Sequence, residues 1–159
     1  MLPDIKGCYG LGFFLPERRI ISIGALGERS LLEGRYIYFG SAMGPGGLRA
    51  RIRHHFFPKE RPHWHIDYLL NNNSPDFVWY ITGPELLECR WSQTAGMIEK
   101  VEFPIMGFGA SDCKAGCTAH LIKVPDEHTN KMIGDILVSV SGITVLSCFG
   151  MDRLSESLI

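Results

Sequence analysis

The chain has 159 residues, a net charge of −1, 45% hydrophobic residues and a mean hydropathy of +0.05. These values are typical of one ordinary globular domain, because a chain of this length buries about 68–70% of its unfolded surface. No run of about 18 apolar residues occurs and no basic segment precedes an apolar one near the N-terminus, so we expect a cytoplasmic protein with no membrane partner.

The first part of the sequence predicts three short antiparallel strands. Residues 7–14 (GCYGLGFF) and 19–23 have strand composition, and the turn residues at 16–18 between them favour a hairpin. Residues 35–40 alternate aromatic and aliphatic types with high strand propensity. The glycines and proline at 44–47 end this third strand.

A basic helix follows the glycine turn. Leu48, Ile52 and Phe56 recur every four residues and form its apolar stripe, while Arg51 and His55 share a second face one turn apart. A guanidinium beside an imidazole suits an anionic substrate. The backbone amides at the start of this helix are also placed to contact a phosphate.

The same region carries a local basic patch on a nearly neutral chain. From position 49 to position 61 there are four arginines and one lysine against one glutamate, a local charge of +4. Such a patch suits transient contact with phosphate groups and predicts salt-dependent binding of nucleic acid. The predicted nucleic-acid contacts are Ser41, Arg49, Arg53, Lys59 and Arg61.

The second half of the chain alternates helices and strands around one long loop. The predicted elements are one of undecided type at 63–70, a strand at 77–81, an amphipathic helix from 82 onwards, a loop at 99–119, a strand at 120–124, a helix at 130–140 and a strand at 143–149. If the first of these is a strand, His63, His65 and Asp67 line one face and would form a metal site. A helix would point the two histidines in different directions and remove this site.

The cysteines raise a second metal question. Five cysteines in a chain without export signals indicate reduced thiols. Two of them, Cys113 and Cys117, lie close in sequence to His120 and form a candidate zinc site. A fourth ligand is needed, and His63 and His65 are the candidates. The alternative is that the cysteines are buried thiols and that His120 belongs to the core.

Several short motifs occur in an order that is characteristic of one enzyme superfamily. They are, in chain order, Gly7-Cys8-Tyr9, Tyr38-Phe39-Gly40, Arg51 with His55, and Glu88. This set resembles the GIY-YIG nuclease superfamily. The segments GRYIYFGSAMGPGGLRAR, HWHIDYLL and GASDC, together with the Glu88–Cys89 pair, resemble its DUF123 branch of Uri-type endonucleases. The resemblance covers about residues 7–124.

The resemblance implies an α/β (α+β) fold. Its centre would be a small antiparallel sheet of about three strands flanked by helices, with an extra C-terminal helix and strand. The length of the chain predicts a single domain over residues 1–159, in which residues 125–159 form an extension packed on the rest. The implied activity is metal-dependent hydrolysis of phosphodiester bonds in nucleic acid, DNA rather than RNA, with one Mg²⁺ or Mn²⁺ as cofactor.

The family pattern also implies roles for individual residues. Glu88 would bind the divalent cation, Arg51 would hold the scissile phosphate, and Tyr9 would orient or deprotonate the attacking water. Tyr38 and His55 would complete the catalytic set. A single carboxylate suffices for Mg²⁺, because this ion keeps most of its water ligands.

Two positions depart from the family pattern. His55 stands where many members carry a tyrosine, so the division of acid and base roles is open, since imidazole titrates near neutrality. The asparagine that usually follows the glutamate has no clear counterpart. Ser111 or Asp112 takes its place, and Asp112 either adds a second carboxylate to the metal or caps the turn before Cys113. The competing functions are a nucleic-acid-binding module without catalysis that acts beside a repair or recombination protein, and a small zinc-stabilised interaction protein.

Overall fold

The computed structural model describes residues 1–57, 60–127, 130–141 and 147–150. The strands in this part of the chain are β1 (Gly7–Leu15), β2 (Arg19–Ser22), β3 (Glu28–Leu31), β4 (Gly34–Ala42), β5 (Phe77–Thr82), β6 (Leu121–Val124) and β7 (Ser147–Gly150). The helices are α1 (Gly47–Phe56), α2 (His65–Leu70), α3 (Glu88–Gly96) and α4 (Asn130–Ser141). Among the described residues, no helix is both long and apolar enough to cross a membrane.

The predicted fold class is confirmed, and the sheet is wider than expected. Five antiparallel strands pair in the order β6-β4-β1-β5-β7, and β2 pairs with β3 in a separate two-stranded ribbon. The predicted hairpin between β1 and β2 is therefore wrong. Nearly every residue of β1 is buried, as in a central strand whose two faces are both covered, and β1 pairs with β4 on one edge and β5 on the other. The residues of β2 alternate between partly buried and exposed, as in a strand with one solvated face.

The central sheet separates two apolar layers. Tyr9, Leu11 and Phe13 of β1 face the layer that contains α1 and α2, whereas Ile37 and Phe39 of β4 face the layer of α3 and α4. This alternation follows from the two-residue period of a strand. Side chains from α1 and from α3 can consequently meet only beyond the end of the sheet, and the candidate site lies there.

The segment of undecided type is helical. In α2, Asp67 Oδ2 accepts the backbone N–H groups of His63 and Trp64 at 3.1 and 3.0 Å, so its carboxylate closes the start of the helix. His65 Nδ1 accepts the N–H of Gly109 at 2.9 Å. The metal site that a strand would have built from His63, His65 and Asp67 is therefore wrong.

The start of α1 is closed by the N-terminal segment of the chain. The N–H of Leu48 donates to the carbonyl of Ile5 at 3.0 Å, and the N–H of Arg49 donates to the carbonyl of Pro3 at 3.1 Å. A Cβ at Gly47 would collide with the backbone of Ile5, and its φ of +53° also favours glycine. These amides are thus already paired, and the expected phosphate contact at this helix start is wrong.

The remaining helices sit close to their predicted positions. The helix expected after residue 82 begins only at Glu88, with Leu87 as its N-cap, so Glu88 occupies the first turn. The predicted C-terminal helix is α4, which packs against α3, and the predicted final strand is β7, which pairs with β5. Residues 142–146 and 151–159 of the predicted extension lie outside the described residues.

Candidate active site

A cleft of about 690 Å³ opens between the start of β1, the end of β4 and the first turn of α3. It brings together the predicted site residues Tyr9, Tyr38, Ser41, Arg51, Glu88 and Asp112. These side chains come from strands, helices and a loop that are far apart in sequence. The fold brings them together in one cleft.

The two tyrosines share one face of the sheet with a glycine between them. The antiparallel register pairs Tyr9 with Gly40, and Tyr38 lies two residues before that glycine on the same face. The two ring centroids are 6.4 Å apart. A Cβ at Gly40 would lie 2.5 Å from the Tyr9 hydroxyl and 3.1 Å from the Tyr38 ring. The glycine of the Tyr38-Phe39-Gly40 motif therefore leaves room for the Tyr9 hydroxyl.

His55 lies behind Tyr9 rather than on the cleft wall. Its Nε2 is 2.8 Å from the Tyr9 hydroxyl, and its Nδ1 is 3.1 Å from Asp67 Oδ1. His55 is only 3% exposed. Burial lowers the pKa of His55 below its ordinary value, although Asp67 opposes this effect. The sequence places Asp67 either in a metal site or in the core, where it fixes a neighbour, and its separation of 12 positions from His55 gives no signal of this contact.

Neither tyrosine of the cleft ionises readily. Burial raises the pKa of Tyr9 well above its ordinary value, and burial likewise raises the pKa of Tyr38, while Arg51 acts in the opposite direction on both. A tyrosine that takes part in proton transfer at neutral pH must therefore hand its proton to a neighbouring acceptor. Tyr9 has such an acceptor in His55.

Arg51 reaches the cleft from α1, and its guanidinium lies over an aromatic ring. Its guanidinium carbon lies 3.9 Å from the centroid of the Trp64 ring. Among the described residues, the ion pairs do not include Arg51. The stacked guanidinium keeps its N–H groups available for a bidentate contact with an anion.

Glu88 enters the cleft from the opposite side of the sheet. Its Oε2 lies 3.3 Å from the thiol of Cys8, which accepts the N–H of Leu87 at 3.2 Å. Burial raises the pKa of Cys8 to about 12, so this residue remains a thiol, and its single hydrogen has two acceptors in reach, the Glu88 carboxylate and the Glu85 carbonyl at 3.2 Å. Asp112 lines the same cleft and is exposed. One oriented carboxylate in an open cleft, with a second one on its wall, fits a hydrated Mg²⁺ or Mn²⁺ ion.

A second cluster of metal-ligating side chains adjoins Glu88. The ligand atoms of Cys89, Cys113, Cys117 and His120 all lie within 4.8 Å of one another. The Cys89 sulfur is 3.4 Å from that of Cys113 and 3.5 Å from His120 Nε2. Zinc–sulfur bonds of about 2.3 Å in a tetrahedron place two ligands about 3.8 Å apart, so this arrangement fits one such ion.

The fourth member of this cluster differs from the prediction. Cys89 holds the position for which His63 and His65 were the candidates, because α3 carries it to the loop that contains the other two cysteines. His65 is engaged with the N–H of Gly109, and His63 is exposed. The sequence signal for Cys89 was its place directly after Glu88, which the motif comparison noted without assigning it a role.

The remaining predicted nucleic-acid contacts differ in whether their side chains are already engaged within the protein. Arg49 is tied to the N-terminal segment, where it donates to Asp4 at 3.0 Å and to the carbonyl of Leu2 at 2.9 Å. Arg53 and Arg61 are exposed. Lys59 lies outside the described residues. The structure thus gives Arg49 a role in holding the N-terminal segment, and its contact with nucleic acid stays a prediction.

Comparison with known proteins gives one match. A family model described as "Domain of unknown function DUF123" matches residues 8–141. This range includes all the residues of the cleft and of the cysteine–histidine cluster that are described above. No curated protein and no solved structure matches the chain.

Proposed function

The chain belongs to the DUF123 family, and we propose that it is a GIY-YIG-type endonuclease that uses one divalent cation to hydrolyse phosphodiester bonds in nucleic acid, with DNA as the favoured substrate. The observation that carries this proposal is the convergence of Tyr9, Tyr38, Arg51 and Glu88 in one cleft. Phosphodiester hydrolysis needs an activated water, positive charge at the phosphate and stabilisation of the leaving oxygen.

The side chains of the cleft can meet these needs. Arg51 donates its stacked guanidinium to the non-bridging phosphate oxygens. Tyr9 binds the attacking water through its hydroxyl, and Tyr38 stands beside it. Glu88, whose carboxylate lies 3.3 Å from the Cys8 thiol, would hold Mg²⁺ or Mn²⁺ together with water ligands. The bound cation supplies Lewis acidity at the phosphate, and Asp112 is a second carboxylate in reach of the cleft.

Two exposed arginines and one hydroxyl of the cleft suit a polyanion. Arg53 and Arg61 are exposed near α1, and Ser41 lines the cleft at the end of β4. These groups would contact the phosphates on either side of the cleaved bond, with Lys59 as a further predicted contact. The affinity should therefore fall with rising salt concentration, since phosphate contacts release counterions.

The cysteine–histidine cluster is proposed to hold a structural zinc ion. Three thiols and one imidazole are a closed tetrahedral donor set, which is typical of structural zinc. An ion held there would join the first turn of α3 to the loop at 113–117, beside Glu88. The cysteines whose side chains are described are free thiols, in keeping with the reducing cytoplasm that we propose as the location.

The nuclease proposal is tested by cleavage of plasmid and oligonucleotide substrates with Mg²⁺ or Mn²⁺. We expect cleavage by the wild type and a loss of about 10²–10³-fold in Glu88→Gln and Arg51→Ala, since each removes one charge-stabilising group. Glu99→Gln is the matched control, because Glu99 is an exposed carboxylate outside the cleft. A wild type that binds nucleic acid but cuts none would favour the alternative of a non-catalytic binding module. Equal residual cutting in all variants would show a contaminant and overturn the proposal.

A further inference from the structure

Asp67 lies outside the cleft and is absent from the catalytic set that the family resemblance implies. Its carboxylate is nevertheless the meeting point of several hydrogen bonds. Oδ1 is 3.1 Å from His55 Nδ1, and Oδ2 is 3.1 Å from His54 Nε2, 3.1 Å from the N–H of His63 and 3.0 Å from the N–H of Trp64. The Asp67 side chain is 1% exposed.

The protonation state of Asp67 follows from these contacts. Burial alone would favour the neutral acid, but the hydrogen bonds from His55, Trp64 and His54 outweigh it and hold the pKa of Asp67 below its ordinary value. The backbone N–H groups of His63 and Trp64 can only donate, so Asp67 Oδ2 must accept from both. Asp67 is therefore an ionised carboxylate that accepts at every contact.

The direction of the next two hydrogen bonds is then determined. Because Asp67 only accepts, His55 Nδ1 must carry a hydrogen. A neutral imidazole carries one ring hydrogen, so His55 Nε2 is bare and accepts from the Tyr9 hydroxyl. The chain of donors runs from Tyr9 through His55 to Asp67. The Tyr9 hydrogen consequently points away from the cleft, and the lone pairs of the Tyr9 oxygen are left for a water in it.

We infer that Asp67 is a positioning residue, which fixes His55 in the Nδ1–H tautomer so that His55 receives the Tyr9 proton when Tyr9 takes a proton from the attacking water. This inference rests on the proposed nuclease function. It explains how a tyrosine buried against the sheet can act as a base without first becoming a free phenolate.

The proton and bond changes of this step balance. One O–H bond of the water breaks and its proton forms a bond with the Tyr9 oxygen, while the original Tyr9 proton moves to His55 Nε2. The hydroxide forms the new bond to phosphorus. The bond between phosphorus and the leaving oxygen breaks, its electron pair stays on the leaving oxygen, and a proton from solvent then binds to that oxygen. The imidazolium is stabilised by the Asp67 carboxylate and returns its proton through Tyr9 to solvent.

The test combines one spectroscopic and one kinetic measurement. Long-range ¹H–¹⁵N correlation of the six histidines, with His55→Gln to assign the signal, should show His55 as the Nδ1–H tautomer in the wild type. Asp67→Asn keeps an oxygen for the backbone N–H groups but places an NH₂ group against Nδ1, which reverses the tautomer. We expect a loss of cleavage of about 10²–10⁴-fold in this variant.

His54→Gln is the matched control, since His54 contacts the same carboxylate but not Tyr9. It should keep the His55 tautomer and most of the cleavage. An Nε2–H tautomer in the wild type, or full cleavage by a folded Asp67→Asn, would overturn the role of Asp67 while leaving the nuclease proposal intact. Absence of cleavage in the wild type would overturn the nuclease proposal itself, and the tautomer measurement separates the two results even if Asp67→Asn fails to fold.

Discussion

The two polar clusters beside the cleft are built in opposite ways. Tyr9, His55 and Asp67 are buried, and each is hydrogen-bonded to the next. Cys89, Cys113 and Cys117 are partly exposed, and their contacts with one another are weak thiol contacts at 3.4 Å or more. The first cluster is complete as the chain folds it, whereas the second has the geometry of a site that an ion completes. A chelator should therefore leave the Tyr9–His55–Asp67 cluster unchanged, whereas the structure of the cysteine–histidine cluster should depend on bound metal.

Tyr9→Phe gives the largest expected effect, because it removes the hydroxyl from the buried cluster. Cleavage should fall by about 10²–10⁴-fold, as for loss of a proton-transfer group. The free energy of unfolding should fall by about 1–3 kcal/mol, since His55 Nε2 is left buried without its donor. Cleavage rates and chemical denaturation measure the two effects.

Tyr36→Phe is the control for that variant. Tyr36 is also a buried tyrosine of the sheet, and its hydroxyl donates to the carbonyl of Leu32 at 2.6 Å, away from the cleft. Tyr36→Phe should lower the free energy of unfolding by a similar amount and leave the cleavage rate unchanged. If the two variants cleave equally well, Tyr9 has no chemical role.

Cys113→Ser should have a smaller effect on cleavage and should act through the second cluster. The purified variant should contain less zinc than the wild type, and its cleavage should fall by about 10–100-fold because Glu88 adjoins the ligand Cys89. The melting temperature should fall as well, since binding of zinc to the folded state alone stabilises it. Elemental analysis, calorimetry and cleavage assays measure these changes.

Thr118→Ala is the matched control, since Thr118 is an exposed residue of the same loop. The His55 tautomer should be unchanged in Cys113→Ser and in chelated wild type, because the buried cluster contains no ligand of the ion. The proposed zinc site is contradicted if the wild type is purified without stoichiometric zinc, or if a strong chelator leaves its melting temperature unchanged.

The smallest effect expected is a dependence of stability on pH. The pKa of His55 in the folded protein is lower than the ordinary value of 6.5, so the unfolded chain binds the proton more readily. The stabilisation is thus complete above about pH 6.5 and is lost as the pH falls below it. Denaturation of chelated protein between about pH 5 and 8 should show this slope, and His55→Gln should reduce it. An unchanged slope in that variant would mean that the pKa of His55 is the same in the folded and the unfolded protein.

Sequence periodicity located most elements because it reports local burial, and the ordered motifs located the cleft residues. Strand pairing was harder, since β1 and β2 are adjacent in sequence but differ in how many faces are buried. Asp67 and Cys89 were missed in their observed roles for a related reason. Their partners His55 and Cys113 are 12 and 24 positions away, and only the packing of helices and loop on the sheet brings them together.

Gly40 limits how this protein can be made more stable by design. Replacing a glycine inside a strand by alanine usually gains about 0.5–1 kcal/mol. At Gly40 the added methyl group would displace the Tyr9 hydroxyl, whereas at Gly44 it would meet nothing within 4 Å. Gly44 lies in the turn between β4 and α1 and does not have a positive φ, so alanine is compatible with its backbone. Gly40 is therefore a position where thermostability and activity are in direct conflict, and Gly44 is one where they are not.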